Sequence, residues 1–201
     1  MGPVARFVGA TPVGWPALAV MAVGGGLFFA LLLKIRLRAA GGGGGERSRM
    51  SGIGIFVQML GIGGAGMGPI RATLPAVAGP SLATAALTAV LIGGAVALFG
   101  AATSEMGRNW SLVARTREDH ELVTSGVFAR IRHPIYTAMA LFLLAMALSF
   151  GHLRSLAFAF PLFAAGTALR VAEEERLLRA RFGPAYENYA RRVKRFVPGL
   201  F

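Results

Sequence analysis

An all-α integral membrane protein is the fold class this sequence predicts, with about five transmembrane helices, a polar ledge on the cytoplasmic side and amphipathic helices at the C-terminus. Three observations predict it. The chain is 55% hydrophobic and only 15% charged, against about 25% charged for an ordinary soluble domain. Its apolar residues gather into runs close to the roughly 20 residues that cross a bilayer as a helix. Of its 21 Lys and Arg, 18 fall in three segments, at 34–50, at 104–133 and in the tail from residue 170. That clustering between apolar runs is the positive-inside asymmetry of a polytopic membrane protein.

The composition also excludes other classes. With no Cys there is no disulfide, Cys-ligated zinc or thiol nucleophile. Three His with no HxxH or HExxH spacing argue against a structural metal. A net charge of +12 in a soluble domain would suggest nucleic acid. Here the basic residues flank apolar runs and no nucleic-acid motif accompanies them, so the expected partners are anionic lipid head groups.

The first apolar run, Trp15 to Leu33, reads as a retained helix with its N-terminus outside, because its basic residues follow it rather than precede it. Gly24, Gly25 and Gly26 within it permit close helix contact in lipid. Lys34, Arg36 and Arg38 end it, and Gly41 to Gly45 form a flexible tether. Ser51 to Ile70, rich in Gly and Met, is a second span whose small residues predict tight packing against a neighbour rather than a ligand groove. A turn with Arg71, Pro75 and Pro80 leads to a third span, Leu82 to Thr103.

Residues 104–133 form the ledge. Glu105, Arg108, Trp110, Arg115, Arg117, Glu118 and Asp119 suit an interfacial helix or a solvated connector. Pro134 opens a fourth span that runs to Phe150, at a helix start where its missing N–H costs nothing. The tight loop 151–154 predicts that spans four and five pack as an antiparallel pair. The fifth span starts near Ser155, is kinked at Pro161 and runs on into EEERLLRARF until Gly183-Pro184 stops it. A short amphipathic helix, Ala185 to Arg195, then precedes Pro198. The chain thus divides into three N-terminal helices with a Gly-rich loop (1–103) and a core of ledge, two helices and tail (104–201). The basic segments place the ledge and the tail together on the cytoplasmic side.

Chemistry-bearing residues concentrate on those two segments. His120, His133 and Tyr136 lie on the ledge or at the mouth of span four, beside Arg130 and Arg132. Arg170 and Glu174 are four apart, on one helix face and within pairing reach. Taken alone they read as a surface ion pair at a helix end. Glu173 and Glu175 point to other faces and read as solvated charges. Tyr186 and Tyr189 read as packing against lipid or the ledge.

Three ordered motifs carry a resemblance. HELVTSGVFARIRHPIY (120–136) is similar to a pattern LVT-x-G-x-Y-x-x-x-RHP-x-Y-x-G. Arg170 precedes Glu174-Glu175, with Leu178, Phe182 and Gly183 following, and Tyr186, Tyr189, Val193 and Pro198 close the series. Over His120 to Pro198 the chain resembles the isoprenylcysteine carboxyl methyltransferase family and its bacterial relatives, membrane-embedded methyltransferases that use S-adenosylmethionine. Two positions depart from the pattern: Phe128 stands for the usual Tyr and Ala138 for the usual Gly.

The resemblance implies a cytoplasmic ledge on which His120, Leu122, Val123, Gly126, Arg132, His133, Tyr136 and Glu174 bind S-adenosylmethionine and release S-adenosylhomocysteine. It implies catalytic roles for Arg170 and Glu174, and a lipophilic acceptor that enters from the bilayer of a bacterial plasma membrane. The carboxylate of a prenylcysteine-like molecule is the first candidate acceptor. A phospholipid amine or a small thiol stays open, as does a non-enzymatic membrane protein that keeps the same frame, which would bind no S-adenosylmethionine. Oligomeric state stays open as well, since the Gly-rich second span can pack within the chain or against another copy.

Overall fold

The computed structural model describes residues 10–39, 49–107 and 121–200. The expectations for Gly41 to Gly45 and for Arg108 to His120 lie outside these residues. The described residues form α1 (Trp15–Ala39), α2 (Arg49–Gly66), α3 (Gly79–Met106), α4 (Pro134–Ser149), α5 (Leu156–Phe182) and α6 (Pro184–Arg192). Short 3-10 turns at Gly126–Ala129 and Leu153–Ser155 flank α4. There is no β-strand among the described residues.

Five apolar helices therefore stand where the sequence places them, in an all-helical membrane fold. Three of the described helices, α1, α3 and α5 with its preceding turn, are long and apolar enough to cross a bilayer. With 16 residues, α4 reaches only about 24 Å, short of the roughly 30 Å hydrocarbon core. The 18-residue α2 ends at Gly66 rather than at Ile70, since Gly68 turns to positive φ and Pro69 follows. Large apolar side chains such as Val23, Leu27, Phe29, Phe56, Leu87 and Val90 face outward, which a lipid surround makes favourable.

Two packing groups build the bundle. On α1 the buried residues Met21, Phe28 and Ile35 recur every seven positions and meet Ile92 and Phe99 of α3 and Phe142 of α4. The Phe28 ring lies 4.7 Å from that of Phe99 and 4.9 Å from that of Phe142. On α2 the buried stripe is Ser51, Gly54, Gln58, Gly61 and Ala65, small at every position but one. Its partner is α5. A Cβ on Gly61 would sit 2.6 Å from the Phe163 amide nitrogen, and one on Gly166 would sit 2.6 Å from the Gly54 carbonyl oxygen. The tight packing expected of this span is thus an intrachain contact with α5.

That contact corrects the expected pairing of spans four and five. Although a short turn joins them, α4 packs chiefly on α3 and α5 chiefly on α2. They share a smaller cluster built from Leu143, Ala147, Ala159 and Phe163. Pro161 lies inside α5, and the helix continues on both sides of it.

The ends of the bundle differ in chemistry. At one end the Thr11 amide donates to the Gly151 carbonyl at 2.8 Å, Val13 donates to Arg71 at 2.9 Å, and both His152 ring nitrogens face the carbonyls of Ala65 and Pro69. At the other end lie the basic last turn of α1, the start of α2, Glu105 of α3, the described part of the ledge and the tail. The site forms there.

Candidate active site

The ledge is held from both sides. Gly126, at φ 55°, opens the 3-10 turn and lies against Glu105 of α3, whose carboxylate accepts from Ser125 Oγ at 3.2 Å. Phe128 is buried, and its carbonyl accepts from the Tyr189 hydroxyl at 2.7 Å. Leu122 packs with Tyr186, Tyr189 and Val193. The tail tyrosines therefore pack on the ledge rather than on lipid. Burial raises the pKa of both phenols, so each stays a neutral hydrogen-bond donor near pH 7.

The tail helix stops at Arg192, three residues earlier than the sequence suggests, and Val193 is extended. The reason is a backbone match. The Arg132 and His133 amides donate to the carbonyls of Lys194 and Arg195 at 2.8 and 2.9 Å, and Thr137 Oγ1 donates to Phe196 at 3.0 Å. Residues 193–196 thus lie alongside 131–133 as a short parallel bridge and cap the entrance to α4.

This closure fixes Arg132 and His133 beside the end of α5. His133 Nδ1 lies 3.6 Å from Glu174 Oε2, and Nε2 lies 3.2 Å from Glu175 Oε1. Tyr136, on the first turn of α4, donates its hydroxyl proton to Glu174 Oε1. Arg170 Nη2 approaches the same oxygen at 3.8 Å, and the guanidinium stacks over the Tyr136 ring at 5.1 Å. Arg170 is 7% exposed, so the surface ion pair read from its spacing is in fact a buried group held across helices.

Glu175 overturns its sequence reading more completely. It is 1% exposed and accepts from Arg132 at 2.8 Å, from Arg195 at 2.9 and 2.8 Å and from Arg179 at 3.3 Å. Arg132 also donates to the Tyr186 hydroxyl at 3.2 Å. Glu173, by contrast, pairs with exposed Arg176 at 2.8 Å. Successive helix positions are about 100° apart, so Glu174 and Glu175 share His133 between them but otherwise serve different neighbours. Glu174 faces the α4 groups, and Glu175 faces the ledge and the tail.

Of the residues singled out from the sequence, Arg132, His133, Tyr136, Arg170 and Glu174 come together. Leu122 and Val123 are half-buried on the ledge, and Gly126 sits in the exposed turn beside Glu105. His120 lies outside the described residues. Ala138 is fully buried among the α1, α3 and α4 side chains, so its methyl group fills the apolar core. Sequence reasoning missed Glu175, Arg195 and Gln58. For Gln58 there was a signal, one amide in the otherwise apolar and glycine-rich stretch 52–66.

Because a neutral imidazole donates from one nitrogen only, a carboxylate at each nitrogen of His133 favours the imidazolium. Burial penalises that charge, but hydrogen bonds and charge from Glu174 and Glu175 outweigh it and raise the pKa above the ordinary 6.5. The folded state then holds the proton more tightly than the unfolded chain. The stability it contributes is complete below the unfolded value and is lost as pH rises through the folded one. Thermal unfolding between about pH 5.5 and about pH 9 is expected to show that loss in the wild type and a flatter profile in His133→Gln. Equal profiles would assign the titration to another group.

Comparison with known proteins gives the family. The model of the isoprenylcysteine carboxyl methyltransferase (ICMT) family matches residues 76–180. The match reaches back through α3, to which the motifs assigned nothing, and stops before the tail tyrosines. Over 104 residues the chain is 31% identical to protein-S-isoprenylcysteine O-methyltransferase of Schizosaccharomyces pombe, covering 50% of this chain and 44% of the relative. It is 35% identical over 107 residues to the cobalt-zinc-cadmium resistance protein CzcN of Cupriavidus metallidurans, covering 51% and 48%. It is 33% identical over 109 residues to the nickel-cobalt-cadmium resistance protein NccN of Alcaligenes xylosoxydans xylosoxydans, covering 52% and 49%. The chain spans about half the length of these curated relatives. With just over half of its residues inside the family match, and with the clustered Arg132, His133, Tyr136, Arg170 and Glu174 all within that interval, the chain belongs to the isoprenylcysteine carboxyl methyltransferase family.

Proposed function

We propose that the protein is a membrane-embedded, S-adenosylmethionine-dependent methyltransferase acting on a lipophilic acceptor, first of all the carboxylate of a prenylcysteine-like molecule. The observation that carries this reading is the convergence of His133, Tyr136, Arg170 and Glu174 at one lip of an apolar bundle, within the family match.

The residues fit the methyl donor. That molecule joins a sulfonium and an ammonium to a carboxylate, so it needs partners of both signs. The Glu174 side chain is 27% exposed beside buried Arg170. Arg132 Nε is buried without a hydrogen-bond partner among the described residues. Glu174 and Tyr136 would face the cationic part, and Arg132 with the ledge would face the carboxylate. When bound, S-adenosylmethionine supplies an electrophilic methyl group.

The chain's own residues supply position and charge. Tyr136 and His133 hold Glu174 in place, and Glu174 in turn fixes one edge of Arg170. A carboxylate acceptor is already ionised at neutral pH and needs alignment more than a base. Arg170 would clamp it. An amine or a thiol must lose a proton, and Glu174 would then be the base. In this reading the acceptor arrives laterally between helices, and the site faces the cytoplasm of a bacterial plasma membrane with the N-terminus outside.

Calorimetric titration of S-adenosylhomocysteine into detergent-purified protein tests the proposal. Micromolar binding is expected for the wild type. Losing a charge-assisted hydrogen bond in Glu174→Gln or His133→Ala should weaken it roughly tenfold to a hundredfold. No binding by folded wild-type protein would leave a membrane protein that keeps only the family frame.

A further inference from the structure

Gln58 lies on α2, outside the family match, and no role for it follows from the motifs. It is 1% exposed. An amide in that position must find partners, because a polar group buried without a hydrogen bond costs about 1–3 kcal/mol. Its two ends are used differently. The amide nitrogen donates to Thr167 Oγ1 at 2.7 Å, and the carbonyl oxygen accepts from Arg170 Nη1 at 3.0 Å.

The first contact joins α2 to α5. The second joins the same two helices and also fixes one terminal nitrogen of Arg170. The other terminal nitrogen points to Glu174 Oε1, and the flat face of the guanidinium lies over Tyr136. Arg170 is thereby oriented from three helices: by Gln58 of α2, Tyr136 of α4 and Glu174 of α5. Such a contact requires the α2 and α5 backbones to touch, which Gly54, Gly61 and Gly166 permit.

We infer that Gln58 is a positioning residue for the candidate active site: by holding Arg170, the proposed acceptor clamp, it also keeps in place Glu174 and Tyr136, which Arg170 touches and which would face the methyl donor, so that the site is incomplete without α2. This inference rests on the methyltransferase reading. It also assigns the N-terminal helices a part in the site beyond that of a membrane anchor.

The test is a set of S-adenosylhomocysteine titrations and melting curves on the full-length chain in detergent. Gln58→Leu should weaken binding roughly tenfold, the scale of one hydrogen bond to a charged group. Gln58→Met, of similar length, serves if the leucine variant does not fold. On an Arg170→Lys background the same change should cost less than about twofold, because the group being positioned is already altered. Gln58→Glu, which can still accept from Arg170, should bind within about twofold of the wild type. Thr167→Val removes the Gln58–Thr167 hydrogen bond and leaves the Gln58–Arg170 one, so it should lower the melting temperature while leaving binding nearly unchanged. Equal binding losses in Thr167→Val and Gln58→Leu, or an undiminished Gln58 effect on the Arg170→Lys background, would reduce Gln58 to helix packing and overturn the inference. Wild-type binding that Gln58→Leu leaves intact would overturn it too. Absence of wild-type binding would overturn the methyltransferase reading, and this inference with it.

Discussion

Glu175→Ala is expected to destabilise the protein by about 3–5 kcal/mol, the usual cost of removing one partner from a buried ion pair. The penalty comes mainly from Arg132. Its side chain is 10% exposed and lies 2.8 Å from Glu175, so without the carboxylate it is a cation in a poorly solvated place. Arg179 and Arg195 are each nearly half exposed, and water takes over much of their solvation when the carboxylate goes. Arg195→Ala should accordingly cost only about 1 kcal/mol or less, like other solvent-screened pairs. The two variants together separate a buried anchor from a surface decoration. Melting in detergent reads the difference. Hydrogen exchange locates it, because the amides of Arg132 and His133 donate to the tail carbonyls of Lys194 and Arg195. Faster exchange at those two amides in Glu175→Ala is the expected signature. If they stay protected and the melting temperature holds, the tail is secured by its backbone bridge and by the Tyr189–Phe128 hydrogen bond instead.

The same residue shows where reading the sequence stops. Runs of apolar residues near bilayer length locate five helices, because hydrophobicity and length are local properties. The four-residue spacing of Arg170 and Glu174 correctly pairs them, since helix periodicity is local as well. It does not show the depth at which the pair sits. On an isolated helix, Glu175 belongs to another face, and solvent is the natural expectation for it. That face is buried because residues 193–196 return alongside 131–133, a contact between segments about sixty positions apart. No periodicity records such a return. It also ends α6 at Arg192, as Val193 turns extended to meet the ledge. Gln58 is an intermediate case. A lone amide in an apolar span is a visible anomaly, but its partners, Thr167 and Arg170, lie more than a hundred positions away.

A second large effect is expected from Gly61→Val, and Gly63→Val provides its control. The two changes share a helix, a side chain and the same β-branched propensity cost, and the positions differ by two residues. A Cβ at position 61 would lie 2.6 and 2.7 Å from the Phe163 nitrogen and the Ala159 oxygen, both backbone atoms that cannot rotate away. A Cβ at position 63 meets nothing within 4 Å. Overpacking in a close-packed interior costs about 1–3 kcal/mol, and more where backbone must move, so Gly61→Val should melt well below the wild type and Gly63→Val close to it. The consequence extends to the site. Gln58 is three residues from Gly61 on the same buried stripe, and its hold on Arg170 at 3.0 Å cannot survive an outward shift of α2 by even an ångström. Gly61→Val should therefore weaken S-adenosylhomocysteine binding in whatever fraction folds, whereas Gly63→Val should bind as the wild type does. Equal melting of the two variants would place the α2–α5 contact elsewhere. Intact binding by a destabilised Gly61→Val would mean that Arg170 keeps its place without help from α2.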